Sequence, residues 1–145
     1  MLLFMITGVS NAQKISVELV LQSRWDNDPD PLQTRQYFNE IWGWAGQDGR
    51  EYAIIGSLDS TFFIEVTDPK NPVVRAAFAG AYNACQNRDY QTYKHYCYAV
   101  ADQAYTSTLQ IFDMQYLPDS VVKVYDSQEL LIRAHDVFIE GGTAY

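Results

Sequence analysis

Three dipeptides carry the groups best suited to chemistry: Asn39-Glu40, Arg88-Asp89 and His135-Asp136. They recur at similar intervals, each near the start of a segment that could form the first strand of a repeat. If those strands line a common channel, Glu40, Asp89 and Asp136 form part of an acidic ring, flanked by Asn39, Arg88 and His135. Hard carboxylate oxygens in that arrangement suit a divalent cation such as calcium, or a cationic or hydroxyl-rich ligand. Neighbouring carboxylates would raise one another's pKa, and a cation would relieve that repulsion. The competing reading is structural: Asp and Arg on inner strands pair with each other or with backbone groups and fix one repeat to the next. The two readings differ in which face the side chains occupy, and a slip of one residue reverses it.

Other candidates are weaker. Sequence neighbours on a strand face opposite sides, so His135 and Asp136 do not both line a channel in a regular strand. His95 falls beside Lys94 at a hairpin turn, where exposure is expected. Gly56-Ser57-Leu58-Asp59-Ser60 is not a nucleophile elbow, and Gly141-Gly142 reads as a turn rather than a phosphate loop. Asp26, Asp28 and Asp30 have the first three spacings of a calcium loop, but Pro31 and Tyr37 stand where such a loop needs Gly and Glu. Asp68 and Asp113 end strands and are expected to accept hydrogen bonds from turn amides. Trp25, Trp42 and Trp44 could form a sugar platform. Trp42 and Trp44 share a strand face, which suits packing between repeats equally well.

The elements that must position these residues are strands. The chain has 145 residues with a net charge of −8, a length that suits one domain. The acidic balance argues against nucleic acid, whose phosphates require a surplus of Lys and Arg. Apolar residues make up 48% and aromatic residues 14%, enough to fill a core. No run of apolar residues is long enough to span a bilayer. Residues 2–9 (LLFMITGV), followed by Ser10-Asn11-Ala12, read as a secretory signal peptide over residues 1–12 that lacks its basic start. Residues 13–36 then comprise an alternating segment, Ile15–Trp25, and the acidic, proline-broken loop Asp26–Pro31. Short strands are expected at Tyr37–Trp44, Glu51–Gly56, Thr61–Val66 and Val73–Ala79, with Asp48-Gly49 and Asp68-Pro69 as turn signals. A hairpin is expected over Tyr90–Tyr93 and Tyr96–Val100. It sets Cys97 opposite Thr92 and leaves Cys85 too far along the strand for a disulfide. Both cysteines are therefore expected unpaired.

The pattern repeats. Tyr52-Ala53-Ile54 returns as Tyr98-Ala99-Val100, Ile64–Asp68 as Leu109–Asp113, and Thr143-Ala144-Tyr145 opens a third copy, at a spacing of about 46 residues. Four short strands per unit of this length suggest an all-β fold, a β-propeller of four-stranded blades. Residues 37–145 supply about two and a third blades, fewer than the roughly 4–8 that close a ring. The expectation is thus a piece of a longer protein, with Ser16–Arg24 as a possible ring-closing strand.

The ordered run Tyr37–Trp44, Asp48–Gly56, Phe63–Val73, Arg88–Tyr90, Leu109–Asp113, Tyr116–Val121 and Ala134–Ile139 resembles the choice-of-anchor B family of LVIVD-repeat proteins. The resemblance covers roughly residues 16–145. It implies a secreted or surface-anchored bacterial β-propeller whose anchor is a C-terminal sorting segment. Asp136 departs from the family, whose members commonly carry Asn after the His. The resemblance brings no activity residue by residue. The functional expectation is an exported, non-catalytic binding or scaffold module at the cell surface or outside it, with an extracellular protein or glycan as partner and no resident cofactor. The ligand-binding candidates are Glu40, Arg88, Asp89, His135 and Asp136. The alternative is an extracellular enzyme that uses these carboxylates on a polymer, with calcium or another divalent cation.

Overall fold

Tyr, Phe, Val and Ile at alternate positions favour strands, and Gly, Pro and Asp between them break the ladders into short pieces. The computed structural model describes residues 18–30, 32 and 35–145. The first sheet is a meander of β1 (Phe38–Ala45), β2 (Glu51–Ser57), β3 (Ser60–Glu65) and β4 (Val73–Ala79). The second repeats it with β5 (Arg88–Tyr93), β6 (Tyr96–Ala101), β7 (Leu109–Asp113) and β8 (Val122–Ser127). A short hairpin follows, β9 (Ile139–Glu140) with β10 (Thr143–Ala144). All pairings are antiparallel. Among the described residues the fold is all-β, with repeated sheets of four antiparallel strands, and the sheets do not close into a ring. Among the described residues, no helix is long and apolar enough to cross a membrane.

Turn chemistry sets the strand ends. Gly49, at a φ of 80°, closes the β1–β2 loop, where Gly46 N–H donates to the Arg50 carbonyl at 2.8 Å. Lys94, at a φ of 58°, makes the tight β5–β6 turn that pairs Tyr93 with Tyr96. Cys97 lies opposite Thr92, as the hairpin spacing requires. Both cysteines are buried and free, and Cys85 Sγ donates to the Asn87 carbonyl at 3.0 Å.

The main core lies between the two sheets. Ile54 and Phe63 of the first meet Tyr90, Cys97, Ala99 and Phe112 of the second, with Met114 and Val121 supplied by loops. Trp42, Trp44 and Phe78 complete it from the first sheet. Phe63, Phe78 and Phe112 pack as a triad with centroids 5.0–6.1 Å apart. Polar groups crossing the same seam fix the alignment of the sheets. Trp42 Nε1 donates to Thr92 Oγ1 at 3.0 Å, Trp44 Nε1 to the Lys94 carbonyl at 3.0 Å, and the hydroxyls of Thr61 and Tyr90 share a bond of 2.8 Å. Trp42 and Trp44 therefore pack between repeats.

Two features differ from the sequence pattern. The described part of the alternating N-terminal segment, residues 18–24, forms no strand. It is tethered through Ser23 Oγ, which donates to the Pro69 carbonyl at 2.6 Å, and through Trp25, whose ring meets Phe38 and Phe62. No neighbouring strand offers it a ladder, and alternation alone does not supply one. The expected signal peptide, residues 1–12, lies outside the described residues. The second difference is register. The bulge after Phe63 in β3 matches the bulge after Ile111 in β7, so Ile64 corresponds to Phe112. The sequence match set Ile64 against Leu109 instead. That slip of three residues changes which face is compared.

Candidate functional site

β1, β5 and β9 lie side by side, each the first strand of its unit. The ends of β1 and β5 nearest Glu40 and Asp89, together with the segment that leads into β9, enclose an open cleft of about 230 Å3. Asn39, Glu40, Arg88, Asp89, His135 and Asp136 all line it, joined by Gln86 and Asn87. The residues expected to gather from three repeats do gather. Their roles differ.

Asn39 is a splint between repeats. Its Nδ2 donates to the Ser57 carbonyl at 3.3 Å and to the Cys85 carbonyl at 3.1 Å, while its Oδ1 accepts from Glu40 N–H at 2.9 Å. Gly56 makes room for it, since a Cβ there would collide with Asn39 Oδ1 and come within 2.9 Å of the Tyr90 hydroxyl. Arg88 is buried at 7% exposure, and its side chain turns into the seam between the sheets. Nε donates to the Ser57 carbonyl at 2.9 Å, and Nη2 donates to Tyr82 at 2.7 Å and Leu58 at 3.3 Å. Gly80 lies so close that any Cβ would strike the guanidinium. Five fixed donors explain why arginine suits a cluster of carbonyls. Arg88 thus fastens the sheets, and its charge is directed to backbone rather than to the cleft.

Asp89 does for the third unit what Asn39 does for the second. Its Oδ2 accepts from Val137 N–H at 2.7 Å and docks the segment before β9. His135 Nδ1 lies 2.7 Å from Asp102 Oδ2. A carboxylate only accepts, so Nδ1 carries the proton and Nε2 is left to the solvent side. Asn87 Nδ2 donates to the same oxygen at 3.2 Å, and Asp102 N–H donates to the Asn87 carbonyl at 3.3 Å. The Asp102 bond and charge hold the His135 pKa above its ordinary value, with smaller contributions from the charges of Asp136 and Asp89. Glu40 and Asp136 present carboxylates that take no hydrogen bond from the other described residues.

Asp102 and Asn87 are the members that sequence reasoning missed. Asp102 directly follows the apolar end of β6, a position that reads as ordinary turn chemistry. Its pairing with His135 spans 33 residues, and no local pattern reports such a contact. Among the described residues, no three His, Cys, Asp or Glu side chains come together so as to hold a metal ion.

The remaining candidates sort into structural roles. Asp68 Oδ1 accepts from Lys70 N–H at 3.0 Å, and Asp113 Oδ1 from Gln115 N–H at 3.0 Å, the turn roles expected of both. Asp26, Asp28 and Asp30 each accept from the amide two residues on, a run of side-chain-capped turns. His95 is half-buried rather than exposed. It stacks on Tyr96 with centroids 4.2 Å apart, and its Nε2 lies 3.8 Å from Asp113. The tight turn folds the ring back along its own hairpin.

Comparison with known proteins finds no matching family model, no similar curated protein and no similar solved structure.

Proposed function

We propose that this chain belongs to an exported β-propeller of four-stranded blades that acts as a non-catalytic binding or scaffold module at the cell surface or outside it. The repeated four-stranded meanders, with first strands adjacent, support the propeller. The apolar run at residues 2–9 before Ser-Asn-Ala supports export, and the resemblance to choice-of-anchor B proteins agrees with both. The observation that carries the non-catalytic reading is the use made of the strongest groups in the cleft. Arg88 is spent on three backbone carbonyls and Asp89 on a backbone amide. What remains at the cleft surface is a rim of Glu40 and Asp136, which suits cationic side chains of an extracellular protein or the hydroxyls of a glycan.

A hydrolytic reading has one observation in its favour, the His135–Asp102 pair, which resembles a general base and its orienting carboxylate. One experiment separates the two. The whole chain is titrated with lysine-containing peptides and with soluble extracellular polysaccharides, and both binding and polymer length are followed. The binding module predicts saturable association without cleavage, weakened at least tenfold in a Glu40→Gln, Asp136→Asn double variant. Cleavage by the parent chain that disappears in His135→Ala would overturn it.

A further inference from the structure

A second cavity, of about 360 Å3, opens at the other end of β1 and β5, between the β1–β2 loop, the β5–β6 turn and the segment after β7. Its volume falls within the roughly 300–1,000 Å3 of small-molecule sites. Glu40 and Trp44 mark the two ends of β1, roughly 13 Å apart at the rise of a strand, so this cavity is separate from the acidic cleft. Trp44, Gln47, Asp48, His95, Gln115 and Leu117 line it.

The lining has a specific chemistry. Trp44 is held rigid: its indole N–H donates to the Lys94 carbonyl at 3.0 Å, and its ring leans on Tyr52 with centroids 5.5 Å apart. A fixed indole gives a flat apolar wall without an entropy cost on binding. The charges are largely answered within the protein. Asp48 accepts from Arg50 N–H at 3.1 Å and from Arg50 Nη1 at 3.0 Å. Asp113 accepts from Gln115 Nε2 at 2.7 Å, which orients the Gln115 amide and leaves its Oε1 as an acceptor. Gln47, exposed at the loop, adds an amide with both donors and an acceptor. His95 adds a ring nitrogen that lies beyond hydrogen-bond distance of Asp113.

A rigid aromatic wall facing neutral amides, with internally compensated charge, does not select an ion. It matches a ring with an apolar C–H face and hydroxyls at its edge. We infer that this cavity is a saccharide-binding subsite for a short, neutral, hydroxyl-rich glycan. Trp44 provides the stacking surface, and Gln47, Gln115 and His95 provide the polar contacts. The site stands independently of the acidic cleft.

The test is a titration of the full chain with cellotetraose, laminaritetraose and mannotetraose, followed by two-dimensional NMR of backbone, indole and side-chain amide groups. The expected result is millimolar binding of at least one of them. It would shift the Trp44 indole and the Gln47 and Gln115 amide signals, and leave Glu40 and Asp89 unmoved. A Gln47→Ala, Gln115→Ala double variant alters two exposed side chains and should keep the folded spectrum while weakening binding at least tenfold. No shift with any of the three sugars overturns the inference. Shifts confined to Glu40, Asp89 and His135 also overturn it, while leaving the acidic cleft as a binding site.

Discussion

Arg88 shows how one side chain can decide between a chemical and a structural role. Its buried guanidinium bonds three carbonyls, so truncation removes three bonds from the seam, although Ser57 keeps Asn39 and Leu58 keeps the Cys85 amide as donors. Arg88→Ala should destabilise the chain by about 2–4 kcal/mol, read by urea unfolding. Arg88→Lys should recover little of that, because an ammonium cannot reproduce the planar fork. An unchanged midpoint in Arg88→Ala would show that the seam does not depend on these bonds. His135 lends itself to titration. Its pKa lies above the ordinary 6.5 because of the bond to Asp102 first, then the charges of Asp102, Asp136 and Asp89. The folded value exceeds the unfolded one, so the stabilisation is complete below about pH 6.5 and disappears as pH rises through the raised value. NMR of the imidazole should give a value above 6.5 that falls back in Asp102→Asn. A raised value that survives this substitution would assign the effect to the other carboxylates.

Element-scale stability rests on the apolar seam between the two meanders. Phe112 is fully buried and touches both Phe63 and Phe78, so it joins β7 to β3 and β4. Phe112→Ala should cost about 3–5 kcal/mol. Tyr125, on the neighbouring β8 and half-buried, should tolerate Phe with little loss, because its hydroxyl has no partner among the described residues. Thermal unfolding of the two variants would order them, and a larger loss for Tyr125→Phe would contradict the seam as the main source of stability. The strand pattern itself was legible: apolar alternation located β1 to β4 within a residue or so, and Val73–Ala79 matched at both ends. The N-terminal segment was not, because a strand exists only when a neighbour completes its hydrogen bonds.

Across the whole molecule, the protection of the chain should be graded. β2, β3, β6 and β7 are interior strands of their sheets and carry most of the core. The β9–β10 hairpin has exposed residues and is held mainly through Asp89 and Asp102. Among the strands, hydrogen exchange should therefore be fastest in β9 and β10 and slowest in the four interior strands. Substituting Asp89→Ala should speed exchange in the hairpin and leave β2 and β3 unchanged. Uniform exchange across the chain would mean that the units unfold together and that the docking bonds are incidental.

Local pattern alone settled the class of fold, the meander order, the hairpin at Lys94 and the separation of the two cysteines. Each depends on residues near in sequence, where period-two alternation and turn propensity act directly. The repeat also brought Glu40, Asp89, His135 and Asp136 to one cleft on paper, since equivalent positions in equivalent units fall at equivalent places. Only the tertiary structure decided what each group does there. Arg88 turns into the seam because Gly80 leaves space and three carbonyls converge there to accept from it. Asp89 caps Val137, and Asp102, silent in the sequence, takes His135. Apart from Tyr82, six residues from Arg88, these partners lie about 30 to 50 residues away, and a hydrogen bond across that distance is set by how sheets pack, which no local pattern encodes.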